Sequence, residues 1–280
     1  MNRTEPLPHK DGSFVFLLKF LAFILCFVLV TALLAGTLTR FLRRRQNGIS
    51  VLSESVDTAP SRLVVVLDAG HGGEDGGTSS KDGTAEKNLN LSVALLLADH
   101  LRAGGIKVVL TRDTDRLLYD PACDYKGRKK MLDQRARLEI TEKAVAENPK
   151  SEVLFVSIHM NSYPSEAVRG LQVWYSSGNP NSAVLAHAVR QSAAALLGED
   201  ASRASKAAGS HIFLLHRLST PAILIECGFL SCPAEAELLK TEKYRRDLAF
   251  TIFAAILNYS FSDTGSGGSA INESIVPLTP

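Results

Sequence analysis

Three apolar runs of this sequence each lead into a group that a hydrocarbon-like interior would not choose. LVVVLDAGHGG delivers His71 just past its run, VLFVSIHMN delivers His159, and PAILIECGF delivers Glu226. A fourth group, Glu86 in GTAEKNLNL, stands where a helical pattern begins after a glycine-rich loop. Two imidazoles and one carboxylate suit an open zinc site, in which the fourth position is left to water. A second carboxylate is then free to act as the base. Each residue alone has an ordinary explanation, since a strand-end histidine is usually structural and a glutamate suits the positive end of a helix. Jointly, four such groups at equivalent positions point to a site. Glu226 is the most telling, because an ionised carboxylate in an apolar strand needs a strong reason to be there. His100, His187 and His216 lack such company and read as packing or surface groups.

The elements that must position these groups alternate between short apolar runs and longer helical patterns. Strands are predicted at Arg62–Asp68, Ile106–Thr111, Val153–His159, Arg169–Tyr175 and Pro221–Glu226, several of them apolar on both faces. Leu89, Val93, Leu96, Leu97 and Leu101 form one helical stripe, and further helices fit Lys129–Ala146, Ser182–Leu197 and Tyr244–Tyr259. The expected fold is α/β: a single domain with a central, largely parallel or mixed twisted sheet, flanked by helices on both faces and preceded by one transmembrane helix. If the strands run parallel, their carboxyl ends share one edge, where open α/β sheets build sites. Gly70, Gly72, Gly73, Gly76 and Gly77 would let the intervening loop turn sharply around a metal.

At 280 residues, 45% hydrophobic and 21% charged, the chain can bury a full core. A net charge of +2 gives no argument for nucleic acid, and the local cluster Arg43–Arg45 is not a basic helical stripe. Four cysteines, one of them (Cys26) in an apolar segment, make no disulfide framework. Cys227 and Cys232 lack a second ligand pair and read as small buried groups.

The ends differ from the middle. Residues 1–45 read as a membrane anchor, with an uncharged run from Phe20 to Leu38 that is about long enough for a ~30 Å hydrocarbon core. A cleaved signal peptide is the alternative, given Ala32, Ala35 and Gly36. Counting Arg3, Lys10 and Lys19 against Arg40, Arg43, Arg44 and Arg45 favours a cytoplasmic carboxyl side. Large following domains can translocate despite a small charge difference, and the domain after the span is expected on the extracytoplasmic side. Residues 46–61 read as a linker, 62–260 as the catalytic domain, and 261–280 as a disordered tail.

The blocks LDAGHGGEDGG, GTAEKNLNL, VSIHMNS and PAILIECGFLS, in that order, resemble the zinc N-acetylmuramoyl-L-alanine amidases over about residues 62–260. The resemblance implies one zinc ion held by His71, Glu86 and His159, with Glu226 as the catalytic base. It also implies hydrolysis of the amide between the lactyl group of N-acetylmuramic acid and L-alanine in peptidoglycan. YKGRKKMLDQR, RGLQVWYSSG and the stretch from Ile212 to Ile256 look like the germination-specific branch found in endospore formers. That branch implies spore-cortex maturation, with a muramic acid deacetylase acting next on the way to muramic-δ-lactam, and leaves room for an activator protein. Two departures stand out: Cys232 follows Ser231 where the family usually has Asn, and Ile140 and Thr141 lie where an Asn is common.

Asp68 and Asn161 are candidates to orient a ligand or touch substrate, and Asp68 could equally cap its strand. Arg112 and Arg128 could meet the anionic stem or the tetrahedral oxyanion, or be solvated surface. The rivals are a degenerate amidase that binds wall or partner without cutting, and another zinc peptidase of the cell wall. The first would lack one of the four groups, and this chain has all of them.

Overall fold

The computed structural model describes residues 63–119, 122, 128–198 and 201–264. The expected anchor at Phe20–Leu38, the linker 46–61 and residues 265–280 of the expected tail lie outside them. No helix among the described residues is long and apolar enough to cross a membrane.

Among the described residues, six strands form one mixed sheet in the order β2-β1-β3-β6-β4-β5. They are β1 (Leu63–Ala69), β2 (Lys107–Leu110), β3 (Glu152–Asn161), β4 (Gln172–Tyr175), β5 (Lys206–Ala207) and β6 (Ala222–Phe229). β2, β1, β3 and β6 run parallel, whereas β4 pairs antiparallel with β6. The helices are α1 (Glu86–Ala103), α2 (Lys129–Glu147), α3 (Asn181–Leu197), α4 (Phe213–Arg217), α5 (Pro233–Lys240) and α6 (Glu242–Thr264).

Because both faces of the sheet are covered, β1 is apolar at every position up to Asp68. Leu63, Val65, Leu67 and Ala69 face a large core shared with α1, α3 and α6. Val64 and Val66 face the other way, into a smaller core with Leu138 of α2 and with Leu214 and Leu215 of α4. On that second face the alternation turns polar toward the carboxyl ends of the strands. Asp68 follows Val66, and Ser157 and His159 follow Phe155; Glu226 follows Leu224. The larger core anchors the sheet, and the smaller one gives way to a site.

Several boundaries differ from expectation. β3 and β6 continue past His159 and Glu226, which therefore lie within their strands. β4 begins later than expected, after Gly170, whose φ of 97° breaks the extended chain. α6 runs on to Thr264, four residues beyond the expected end of the domain. The short elements β5, α4 and α5 carry too little periodicity to be read from the sequence.

Candidate metal centre and its cavity

Parallel register is what brings the groups together. His159 of β3 and Glu226 of β6 are direct cross-strand partners, and Asp68 of β1 partners Ser157. β1 ends at Ala69, and two residues later His71 occupies φ 61°, the one positive φ at a non-glycine among the described residues. Such a conformation persists only where the surroundings over-determine it. Here the loop folds back through paired backbone bonds between Gly72 and Asp75, at 2.9 and 3.0 Å. That turn sets the Asp75 carboxylate 2.8 Å from His71 Nδ1 and leaves Nε2 to point at Glu86, 3.3 Å from Oε2.

Glu86, the first residue of α1, is buried and held on every side. Its Oε1 lies 2.9 Å from His159 Nδ1 and accepts from Met160 N–H at 3.0 Å and Asn90 Nδ2 at 3.2 Å. Its Oε2 accepts from Thr78 N–H at 2.9 Å. One ligand atom from each of His71, Glu86 and His159 can be chosen so that all lie within 4.8 Å of one another. The two imidazole rings meet edge to face with centroids 4.9 Å apart.

The glycines of the loop are needed for this closeness. A Cβ on Gly70 would overlap the His159 ring, and one on Gly77 would strike Glu86 Oε2 and the His71 ring. Gly77 also sits at φ 68°, which side chains avoid.

Electrostatics follow from this packing. Burial works against the His71 imidazolium, but hydrogen bonds and charges from Asp75 and Glu86 outweigh it and push the ring up to about 9. The His71 hydrogen bond, against some burial, holds Asp75 down at about 2. Burial disfavours ionised Glu86, yet the two histidines override it and keep the carboxyl well below its usual range. Glu226 has no such help: burial, with the Glu86 charge, raises it to about 7 against the pull of His159 and His71. Its Oε2 is shut off from solvent and has no hydrogen-bond partner among the described residues. A preorganised carboxylate–imidazole set with an orphaned carboxylate beside it fits a divalent ion with nitrogen and oxygen ligands, and zinc foremost.

The site opens into a cavity of about 340 Å³. Of the residues singled out in the sequence, Asp68, His71, His159, Asn161 and Glu226 line it, and Glu86 lies directly beneath. Asp68 is buried and accepts from Arg137 at 2.5 Å, Ser157 Oγ at 2.7 Å and Thr111 Oγ1 at 2.7 Å, so neither histidine is oriented by it through a hydrogen bond. The Asn161 side chain accepts from Ser162 N–H at 2.8 Å.

Arg112 corrects an expectation. It is fully buried and donates to the carbonyls of Ala69, Gly70, Lys87 and Thr114, so it ties the glycine loop to the start of α1 and its guanidinium is already engaged. Arg128 is exposed at the start of α2 and does not line the cavity.

The sequence reading overlooked Asp75 and Arg137. Asp75 could have been found as the only acid four residues after His71 within the glycine loop. Arg137 could have been found from its i, i+4 spacing to Asp133 on α2. His100 packs against Phe250 and Phe253, and Cys227 and Cys232 are free and buried, as their sequence contexts suggested.

Because Asp75 orients His71, Asp75→Asn is expected to weaken zinc binding about 10–100-fold while leaving the melting temperature near that of the parent. Competition with a chromophoric chelator measures this; an unchanged affinity would remove Asp75 from any positioning role.

Comparison with known proteins places this geometry. A family profile described as N-acetylmuramoyl-L-alanine amidase matches residues 65–258. The germination-specific N-acetylmuramoyl-L-alanine amidase of Bacillus subtilis is 33% identical over 205 residues, spanning 73% of this chain and 82% of that protein. Among solved structures, the CwlD amidase from Clostridioides difficile, in complex with the GerS lipoprotein, matches with a TM-score of 0.63 at 32% identity, covering 71% of this chain and 99% of that one. AmiC2 of Nostoc punctiforme, an N-acetylmuramoyl-L-alanine amidase, matches at 0.61 and 29% identity, over 72% and 99% of the two chains.

Proposed function

This chain belongs to the N-acetylmuramoyl-L-alanine amidase family, and from that membership we propose that it cuts the lactyl–L-alanine amide of peptidoglycan with one zinc ion and Glu226 as base. The observation that supports this most is the convergence of His71, Glu86 and His159 beside the unpartnered carboxylate of Glu226. Zinc, when bound, supplies Lewis acidity that acidifies water and polarises the amide carbonyl.

The chain's own residues do the rest. Asp75 holds His71 in one tautomer, and Thr78 N–H and Met160 N–H hold the Glu86 carboxylate in one plane. Glu226 takes a proton from the attacking water as its oxygen bonds to the lactyl carbonyl carbon. It then returns that proton to the L-alanine nitrogen as the C–N bond breaks. Burial raises this carboxyl above its ordinary range in the metal-free protein, which suits a group that must both accept and return a proton. The products are the lactyl carboxylate and a stem peptide with a free amino terminus.

The role we propose is spore-cortex maturation, supported by the similarity to a germination-specific amidase. There the free lactyl carboxylate lets a deacetylase act next, toward muramic-δ-lactam. The solved complex of the CwlD amidase with a lipoprotein supports an activator partner for this chain as well. We further propose that Phe20–Leu38 is an uncleaved anchor that holds the catalytic domain on the extracytoplasmic side.

The full chain in detergent is expected to release stem peptides with free L-alanine amino termini from purified peptidoglycan, and to stop after chelation and resume with zinc. Products cut elsewhere, or activity indifferent to chelation, would overturn the reading. In cells the protein is expected to sediment with membranes in high salt and be digested by protease added outside; a protected domain would reverse the proposed topology.

A further inference from the structure

The cavity above the metal ligands has two unlike walls. One is apolar and formed by Trp174 of β4, Leu224 of β6, and Ile212 and Phe213 around the start of α4. The other is the opening turns of α2, with Lys130 and Gln134 at the cavity and Asp133 and Arg137 among its lining groups.

Most charges in this lining are already matched. Arg137 pairs with Asp68 at 2.5 Å and with Asp133 at 2.8 Å, and Asp75 is engaged with His71 at 2.8 Å. Lys130 is the exception. It is exposed and forms no ion pair or hydrogen bond among the described residues, whereas its neighbour Lys129 is bound to Glu74 at 2.5 Å. Its charge is felt by Asp75 without a bond between them. Lys130 also stands in the first turn of a helix that has no acidic residue there. A cation at that end opposes the helix dipole, so helix stability does not account for it. What remains is a positive charge with no bonded partner among the described residues, at the rim of a cavity lined by Glu226, His71 and His159.

Resting on the amidase reading, we propose that Lys130 sets substrate specificity by receiving the free α-carboxylate of the second residue of the stem peptide. In a peptidoglycan stem that residue is a glutamate joined onward through its side-chain carboxyl. Its α-carboxyl is thereby left either ionised or converted to a carboxamide. The group follows directly on the L-alanine whose nitrogen is released, and each extended residue reaches about 3.3–3.6 Å. A stem leaving Glu226 along the α2 wall therefore presents this carboxylate within the same cavity that holds Lys130. The wall opposite offers mainly Trp174, Leu224, Ile212 and Phe213, with the His211 ring edge-on to Trp174 and the Lys206 ammonium held over the Trp174 ring, so Lys130 is the cation on the α2 side. Lys130 thus favours the ionised stem over the amidated one, and Gln134, one turn further on, supplies a neutral hydrogen-bonding neighbour.

The test uses the zinc-loaded full chain and three soluble disaccharide–peptides: unmodified, amidated only at the α-carboxyl of residue two, and amidated only at the free carboxyl of a diamino acid at residue three. Lys130→Gln is expected to lower kcat/KM about 10-fold on the unmodified stem, mainly through KM, as loss of one charged hydrogen bond would. On the residue-two amide the loss should stay under about twofold, Lys130→Arg should restore most of the preference, and zinc content should not change. Equal losses on all three substrates, or none on any, would overturn the proposal. A loss that vanishes only with the residue-three amide would assign the carboxylate to the wrong residue. Affinities of the Glu226→Gln protein for the same three compounds, with and without Lys130→Gln, answer the same question without turnover. If the parent hydrolyses none of them, the amidase reading itself fails, and these affinities still decide whether Lys130 reads the carboxylate.

Discussion

Glu226→Gln is expected to keep its zinc and its fold and to lose about 10²–10⁴-fold or more in the rate of stem release. The substitution preserves shape at a position whose Oε2 has no hydrogen-bond partner among the described residues, so little else should change. Glu86→Gln should behave differently. Its two oxygens accept from Thr78 N–H and Met160 N–H, and an amide must turn its NH₂ toward one of these donors. It should therefore lose zinc along with activity. Zinc content and product release, measured on both variants, separate the roles: zinc lost from Glu226→Gln and kept by Glu86→Gln would exchange them, and a fully active Glu226→Gln would mean another base.

The same variant has a stability signature. The Glu226 carboxyl is raised from 4.5 to about 7 in the folded protein. Its ionisation is therefore resisted by the fold, and the associated stability is complete below the unfolded value and is lost as pH rises through 7. Metal-free Glu226→Gln is expected to melt above the metal-free parent at pH 8, with the gap closing by pH 4. A gap that instead widened toward acid would contradict the assigned environment.

The second large effect is expected at Arg137, which binds the end of β1 and the His71 backbone to α2. It donates to Asp68, Asp133 and the carbonyls of Ala69 and His71 at 2.5–2.8 Å while itself buried. Arg137→Met leaves two buried carboxylates without their cation, a loss of about 3–5 kcal/mol by analogy with other broken buried pairs. Adding Asp68→Asn and Asp133→Asn should recover part of it, because a neutral amide is far less costly to bury. Denaturant unfolding measures both; a single variant within about 0.5 kcal/mol of the parent would show the network to be slack. Asp68 also makes the pH sense explicit. Burial alone would raise it, but Arg137, Ser157 and Thr111 together hold it below its ordinary 3.8. Its contribution is then present above that value and lost as pH falls through the folded one. Asp68→Asn should flatten this acid limb.

The residues of the candidate metal centre were legible from sequence because their chemistry made them conspicuous. His159 and Glu226 stand in apolar runs where only a use for them explains their presence, and Glu86 opens a helix directly after a glycine loop. The alternation of short apolar runs with amphipathic patterns also determined an α/β sheet covered on both faces, since runs such as LVVVLD leave neither face free for water. What the sequence could not determine was anything that depends on two segments meeting. An arginine looks alike in sequence whether it ends up solvated or buried, so Arg112 suggested substrate binding while Arg137 passed unnoticed. Only the pairing of β2 with β1 beside the start of α1 buries Arg112 against the carbonyls of Ala69, Gly70 and Lys87, and only α2 packed against β1 sets Arg137 on Asp68. The orienting partner of His71 likewise depends on a left-handed residue and a backbone turn that bring Asp75 back over four positions. The strand at β4 was expected from RGLQVWY, but its antiparallel sense was not, because strand direction leaves no periodic trace; the short helix α4, which helps form the apolar wall of the cavity, has too few residues for periodicity to speak. Local side-chain chemistry is written along the chain, whereas pairing, burial and charge compensation exist only between segments, and those had to come from the folded structure.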